Sequence, residues 1–448
     1  MNPVLKILYR LYRLYSGLRY RAQRRFTRPG LAMLGALVAV SLTGLDPDLS
    51  ASYQAFTVLL CFVLVAVCFA GSFPARFSAV RLLPTFGTAG SPFSYRVVVR
   101  NLTAETQSGL SLLENLADPR PSFQDWRAVR LAEDMLVRSF RVSRRRRANL
   151  FKLATVKDAA VPPAPPNQET EVRVELTPLR RGVLRFTGVT LARPDPLGLL
   201  RKFVTLPLPQ TALILPQRYP MPPIALPGTM KYQEGGVALA ASVGQSEEFV
   251  ALRDYRNGDP LRHIHWRSWA KAGKPVVKEF EDEFFVRHAL VLDTFTEHAH
   301  SEVFEEAVSV AASFVCTIQT QESLLDLLFV GPQSYCFTAG RGLAHMEQML
   351  EILASVRACR DQSFRALEHL VLNHVGSLSG CICVLVAWDD DRRNFIEKLR
   401  LLGVPILALV IVEPGRNPSL DPGPLRDQPH SFHVLEIGQI EQGLARLR

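Results

Sequence analysis

Two uncharged apolar runs near the N-terminus constrain this chain more than anything that follows them. The first is Gly30–Leu45 and the second Tyr53–Phe73, separated by Asp46-Pro47-Asp48. Crossing a bilayer's hydrocarbon takes about 20 helical residues, which the second run supplies. The first is short and must borrow Leu49 and its neighbours, a mismatch that a thin bilayer tolerates. The expected element is a hairpin of two transmembrane helices within residues 30–73, at about 30–48 and 53–73. A cleaved signal peptide fits poorly, because a long basic segment precedes the first run and a second run follows at once.

Charge orients the hairpin. Met1–Arg28 carries eight basic residues and no acidic one, the connecting loop has only two aspartates, and Arg76 and Arg81 follow the second run. The positive-inside rule then places both termini and all soluble domains on the cytoplasmic side of a bacterial inner membrane. Within residues 1–29, Leu5, Leu8, Leu11, Tyr12, Tyr15 and Leu18 recur at helical spacing among arginines. That is the pattern of a basic amphipathic helix lying on an anionic surface. A second basic cluster is Arg141 with Arg144–Arg147. Setting both clusters aside leaves a chain of net charge +10 close to neutral, which argues against nucleic acid as a partner. The seven cysteines are odd in number and form no CxxC pair, as expected of buried thiols in a reducing compartment. Cys381 and Cys383 share a strand face, but two thiolates do not complete a tetrahedral zinc site.

The rest reads as β followed by α/β. Arg96–Arg100 is a short strand, and Glu171-Val-Arg-Val-Glu-Leu176 alternates as a half-buried strand does. Residues 79–215 are therefore expected to form a β-sandwich-like domain of immunoglobulin type, with Val161–Pro166 as a loop. The proline-dense Pro207–Pro227 reads as a linker, and residues 216–287 as linker plus a distinctive segment. From His288 onward, apolar strands (Ala289–Leu292, Leu324–Val330, Ile382–Ala387, Pro405–Val412) alternate with helices (Glu302–Thr320, Arg392–Leu401). That order implies a doubly wound parallel sheet over residues 288–448.

The distinctive segment runs from Glu248 to Glu281. Asn257-Gly258 is a turn, Asp259 and Arg262 are spaced to pair, and Trp266 and Trp269 are large anchors. Its motifs are Leu252-Arg253-Asp254-Tyr255, then Gly258-Asp259-Pro260-Leu261-Arg262-His263-Ile264-His265-Trp266, and Val277-Lys278-Glu279. With Arg181-Gly182 and Asp195-Pro196-Leu197-Gly198-Leu199 upstream, they closely resemble the signature of the bacterial family of unknown function numbered fifty-eight. The resemblance implies a MoxR-type AAA+ ATPase and a transglutaminase-like membrane protein as companions, and an assembly or chaperone-like role. It marks Arg253, Tyr255, Gly258, Asp259, Arg262, His265, Trp266, Lys278 and Glu279 as signature and interaction residues.

The last module looks like a von Willebrand factor A domain. Such a domain holds its metal with Asp-x-Ser-x-Ser after the first strand, oxygen ligands suited to Mg²⁺. Here the run is Asp293-Thr294-Phe295-Thr296-Glu297, so both serines are replaced. Asp293, Thr296 and Asp389 remain as degenerate candidates, and the expectation is a fold kept without cofactor or metal. His263-x-His265 and His298-x-His300 lack further ligands. No GxxxxGK[ST], HExxH or GxSxG motif occurs. The sequence therefore favours a non-enzymatic interaction or scaffold protein. The alternative is a hydrolase using Arg253, Asp259, Arg262, His265 and Glu279 as an acid–base cluster.

Overall fold

The computed structural model describes residues 3–43, 50–70, 75–118, 120–124, 126–127, 152–222, 249–256, 261, 264–280, 286–296, 301–318, 323–340, 343–415 and 420–447. It is a mixed α/β protein that divides into two compact units, residues 1–217 and residues 218–448 apart from 298–300.

The first unit opens with three helices, α1 (Pro3–Arg25), α2 (Arg28–Thr43) and α3 (Ser50–Ala70). Over Ser52–Phe69, α3 is long and apolar enough to cross a membrane, and it presents Val58, Phe62, Leu64, Val65 and Phe69 outward. α2 packs against it but is shorter. Its 16 residues rise about 24 Å, less than the roughly 30 Å of a hydrocarbon core. Where two spans are expected, one helix among the described residues meets the length.

Nine strands follow among the described residues: β1 (Phe77–Leu82), β2 (Phe86–Thr88), β3 (Phe93–Asn101), β4 (Ser111–Leu116), β5 (Ala154–Val156), β6 (Ala159–Ala160), β7 (Glu169–Pro178), β8 (Gly182–Pro194) and β9 (Arg201–Leu215). They form two sheets, ordered β1-β3-β7-β5 and β2-β9-β8-β4-β6. Inward residues of both sheets, among them Val97, Val174, Phe186 and Leu191, share one core. This is the period-2 burial that a sandwich requires.

One sequence expectation fails here. Pro207 and Pro209 belong to β9 rather than to a linker. The register against β8 shifts between Phe186 and Gly188, and Pro207 stands opposite Gly188. A Cβ on Gly188 would lie 2.3 Å from the Leu206 carbonyl oxygen, so only glycine admits this approach. Bulges are where a strand accommodates residues that cannot donate to the ladder. Arg81, buried in this core, donates to the Gly188 and Leu208 carbonyls, groups the bulge leaves short of partners.

In the second unit, β10 (Phe249–Asp254) and β11 (Val276–Phe280) form an antiparallel ribbon carrying the short helix α4 (Trp266–Ala272). The larger part comprises β12 (Val286–Leu292), α5 (Glu302–Thr317), β13 (Ser323–Val330), β14 (Ser334–Ala339), α6 (Leu343–Ser355), α7 (Arg365–His374), β15 (Gly380–Leu385), α8 (Asp390–Leu401), β16 (Ile406–Val412), β17 (Phe432–Glu436) and α9 (Ile440–Leu444). The six strands run in the order β14-β13-β12-β15-β16-β17, all parallel except β14. β15 and β16 are buried along their whole length, which explains their unbroken apolar sequences. α7 and α8 cover alternate residues such as Val291, Cys383 and Val410, while α5 packs on β12, β15 and β16. The Cys381 and Cys383 sulfurs lie 3.5 Å apart on one buried face, as the strand spacing requires.

Candidate functional site

Chain order places a crevice between β12 and β15. From β12 the chain moves to β13 on one side, while β15, β16 and β17 extend on the other. Open parallel sheets hold their ligand sites at the carboxyl ends of the strands where the order diverges in this way. Asp293 follows β12 and Asp389 follows β15, so the topology brings two of the three metal candidates to this point.

Between them stands Arg392, 7% exposed, in the first turn of α8. Its Nε donates to Asp293 Oδ2 at 2.9 Å and its Nη2 to Asp293 Oδ1 at 3.2 Å. Nη1 donates to Asp389 Oδ2 at 2.5 Å, and Nη2 also donates to the Phe295 carbonyl at 3.2 Å. The guanidinium carbon lies 4.6 Å from the centre of the Phe364 ring. Burial disfavours this charge, but Asp293 and Asp389 more than offset it and hold the guanidinium above its ordinary pKa.

Local chemistry fixes both carboxylates. Asp293, fully buried, accepts from the Phe295 and Val386 amides at 3.0 and 3.2 Å. Asp389 is the N-cap of α8, accepting from the Arg392 amide at 3.1 Å, and its side chain is half-exposed. The residues do not fit a divalent ion. Both carboxylates are engaged by a fixed cation, Phe295 offers no side-chain oxygen, and like charges repel a metal from that position. Thr294, inside the run, turns its hydroxyl to the Val330 carbonyl, while Thr296 is partly buried beside it. Glu297, His298 and His300 lie outside the described residues. In the sequence, Arg392 stands out only as the start of a helix. The available signal was the Asp389–Arg392 spacing of three, which places both groups on one helical face.

The signature residues that the structure describes lie on or beside the β10–β11 ribbon. Arg253 stands opposite Val277 and Leu252 opposite Lys278. The Tyr255 amide donates to the Pro275 carbonyl at 3.0 Å. His265 precedes α4, its amide bonded to Val276 O and its Nδ1 2.7 Å from Ser268 Oγ. Gly273 ends the helix at φ +68°, a conformation that suits glycine. Gly258, Asp259, Arg262 and His263 fall outside the described residues, as does the Glu279 side chain. Trp266 is not a core residue. The ring is 65% exposed and stacks on Trp269 at 5.2 Å, because α4 is a single short helix that buries none of its own residues.

Residues 251–401, which include both the ribbon and the Asp293–Arg392–Asp389 cluster, match the family described as "Protein of unknown function DUF58". The chain is also similar to an uncharacterised protein of Bacillus subtilis, YeaD, at 29% identity over 184 residues. That match covers 40% of this chain and 44% of the relative, so the chain spans less than half the length of the curated relative it matches. Among solved structures, a cohesin module from a Clostridium perfringens family 33 glycoside hydrolase aligns at 9% identity over 31% of this chain and 97% of its own, with a TM-score of 0.14. A family 20 exo-β-N-acetylglucosaminidase from Vibrio harveyi aligns at 8% identity over 80% and 60%, with a TM-score of 0.12. Neither likeness carries an argument about fold or function.

Proposed function

We propose that this is a membrane-anchored, cytoplasm-facing scaffold protein whose C-terminal module, of von Willebrand factor A type, recognises a protein partner without a metal ion. The observation that carries this reading is Arg392, seated on Asp293 and Asp389 at the strand ends. A domain of this type normally uses its ion as the fixed positive charge that meets a partner's carboxylate. Here a side chain of the chain itself holds that position, and Asp389 remains half-exposed beside it. Recognition then rests on shape and charge around this crevice, and on the exposed Leu252, Leu261 and Trp266 of the signature segment. The motif resemblance names the partner class, a MoxR-type AAA+ ATPase, with a transglutaminase-like membrane protein in the same assembly. The outer face of α3, with the basic N-terminal segment, supports the anchor and its orientation.

A pull-down of the detergent-solubilised chain with a MoxR-type ATPase, in EDTA and then in Mg²⁺ with and without nucleotide, tests this. Capture is expected to survive EDTA in the absence of nucleotide and to weaken in Trp266→Ala and Asp389→Ala. Capture abolished by EDTA under those conditions, or equal in both variants and the parent, overturns the reading.

A further inference from the structure

The turn Asp195–Leu200, between β8 and β9, is built to meet the apolar helices rather than solvent. Asp195 is buried, accepts the Leu200 amide on Oδ1 at 2.7 Å and donates its own amide to the Leu200 carbonyl at 2.8 Å. The Gly198 amide closes the turn on the Asp195 carbonyl at 2.9 Å, with φ at +66°. Pro196 has no N–H to satisfy. The start of α2 then grips the turn: the Thr27 amide donates to the Leu199 carbonyl at 3.0 Å, and the Thr27 hydroxyl to the Gly198 carbonyl at 2.5 Å. A Cβ on Gly30 would lie 2.1 Å from the Leu199 oxygen, so α2 and the turn touch backbone to backbone. Leu199 and Leu200 are buried against Ala66 of α3, with Phe26 and Met33 around them.

Leu197, at the tip, is 40% exposed and edges a cleft of about 300 Å³ on α3 with Thr57, Val58, Cys61, Phe62 and Val65. Phe62 lies eight residues before the end of α3 at Ala70, about 12 Å along the axis. The β-domain follows Ala70, so the domain and the tip belong to the same side of the bilayer. Half a hydrocarbon core is about 15 Å thick, which places a tip beside Phe62 inside it. The walls of the cleft are almost wholly apolar, so water gains nothing there and a hydrocarbon chain does.

We propose that the Pro196–Gly198 tip of the β-domain is embedded in the acyl layer of the adjoining leaflet, where phospholipid acyl chains fill the cleft between Leu197 and α3. The inference rests on the reading that α3 spans a membrane. It makes the β-domain part of the anchor, not a module on a tether. Backbone outside helices is tolerated at this depth where protein partners satisfy it; Thr27 donates to the Gly198 and Leu199 carbonyls, and Asp195 accepts the Gly198 and Leu200 amides.

The test uses the full chain in vesicles of phosphatidylethanolamine and phosphatidylglycerol, with the photoreactive residue p-benzoylphenylalanine placed singly at Leu197, at Phe62 or at Glu105, an exposed position of the β-domain. After irradiation, intact mass is expected to show a phospholipid adduct at Leu197 and Phe62 and none at Glu105. An adduct at Phe62 without one at Leu197 overturns the embedded tip and leaves the anchor standing. No adduct at Phe62 removes the spanning reading itself. A second variant, Leu197→Cys, is expected to form a disulfide with native Cys61 under mild oxidation. Its failure to do so would separate the tip from α3 and overturn the proposal independently of lipid.

Discussion

The β-domain and the α/β domain each bury an arginine over a phenylalanine, and they use it differently. Arg81 in the β-domain and Arg392 in the α/β domain both hold the guanidinium carbon 4.6 Å from a ring centre, of Phe186 and Phe364 respectively. Arg81 and its partner Glu114 are completely enclosed, and the remaining donors reach the Leu208 and Gly188 carbonyls and Gln210. Arg392 closes on one enclosed carboxylate, Asp293, and one half-exposed carboxylate, Asp389. Arg81 repairs a bulge inside a sandwich. Arg392 stands at strand ends, where doubly wound sheets keep their ligand sites. A buried ion pair by itself is therefore no mark of function; its place in the topology separates the two.

The largest expected effect lies with the closed pair. Removing one member of a buried pair leaves its partner charged and unsolvated, which costs about 3–5 kcal/mol. Arg81→Met should lose stability on this scale, because Glu114 has no solvent to turn to and the bulge loses its donors as well. Pulse proteolysis of the detergent-solubilised chain in urea, following cleavage within residues 77–215, measures it. A loss below about 1 kcal/mol, the worth of an exposed pair, would show that the Arg81–Glu114 pair is not enclosed and that the contrast between the two sites fails.

Arg392→Met should cost less, about 2–4 kcal/mol, since Asp293 keeps two backbone amide donors and Asp389 is already half in water. It should also change the response to metal. With the guanidinium gone, two carboxylates face a cavity without a cation, and Mg²⁺ that binds only the folded form raises its stability. Mg²⁺ is expected to raise the melting temperature of the variant and to leave the parent chain unmoved. A parent stabilised by Mg²⁺ as strongly as the variant would mean that the guanidinium does not hold the metal's place.

What the sequence disclosed follows from the range of each interaction. The alternation in Glu171–Leu176 is local, and the burial of β7 reproduces it residue by residue. The apolar strands of the α/β region were legible for the same reason. Arg392 was not, because its meeting with Asp293 spans 99 positions and depends on β12 and β15 being neighbours. Pro207 hides the strand β9 from local sequence because the device that admits proline, the bulge at Gly188, lies on another strand. The size of Trp266 suggests an anchor, but whether the ring is buried depends on what packs against it, which lies outside the local sequence. Asp195-Pro196-Leu197-Gly198-Leu199 is legible as a motif, but its packing on α2 and α3 joins positions more than 130 apart.

The smallest effect should come from the carboxylate that most distinguishes the two sites. Asp389→Asn keeps an oxygen able to cap α8 and removes only a half-exposed charge. Asn and Asp cap helices about equally well, and a solvent-screened ion pair contributes about 0–1 kcal/mol, so stability should fall by less than about 1 kcal/mol. Arg392 stays paired with Asp293, and the enclosed half of the site is unchanged. The corresponding change in the β-domain, Glu114→Gln, has no such refuge and should cost several times more. If Asp389→Asn is instead as destabilising as Glu114→Gln, Asp389 is enclosed in solution and the crevice is as closed as the sandwich core. If it is nearly neutral in stability yet weakens capture of the partner, the exposed half of the site is the part that recognises, and the difference between the two arginines is one of function.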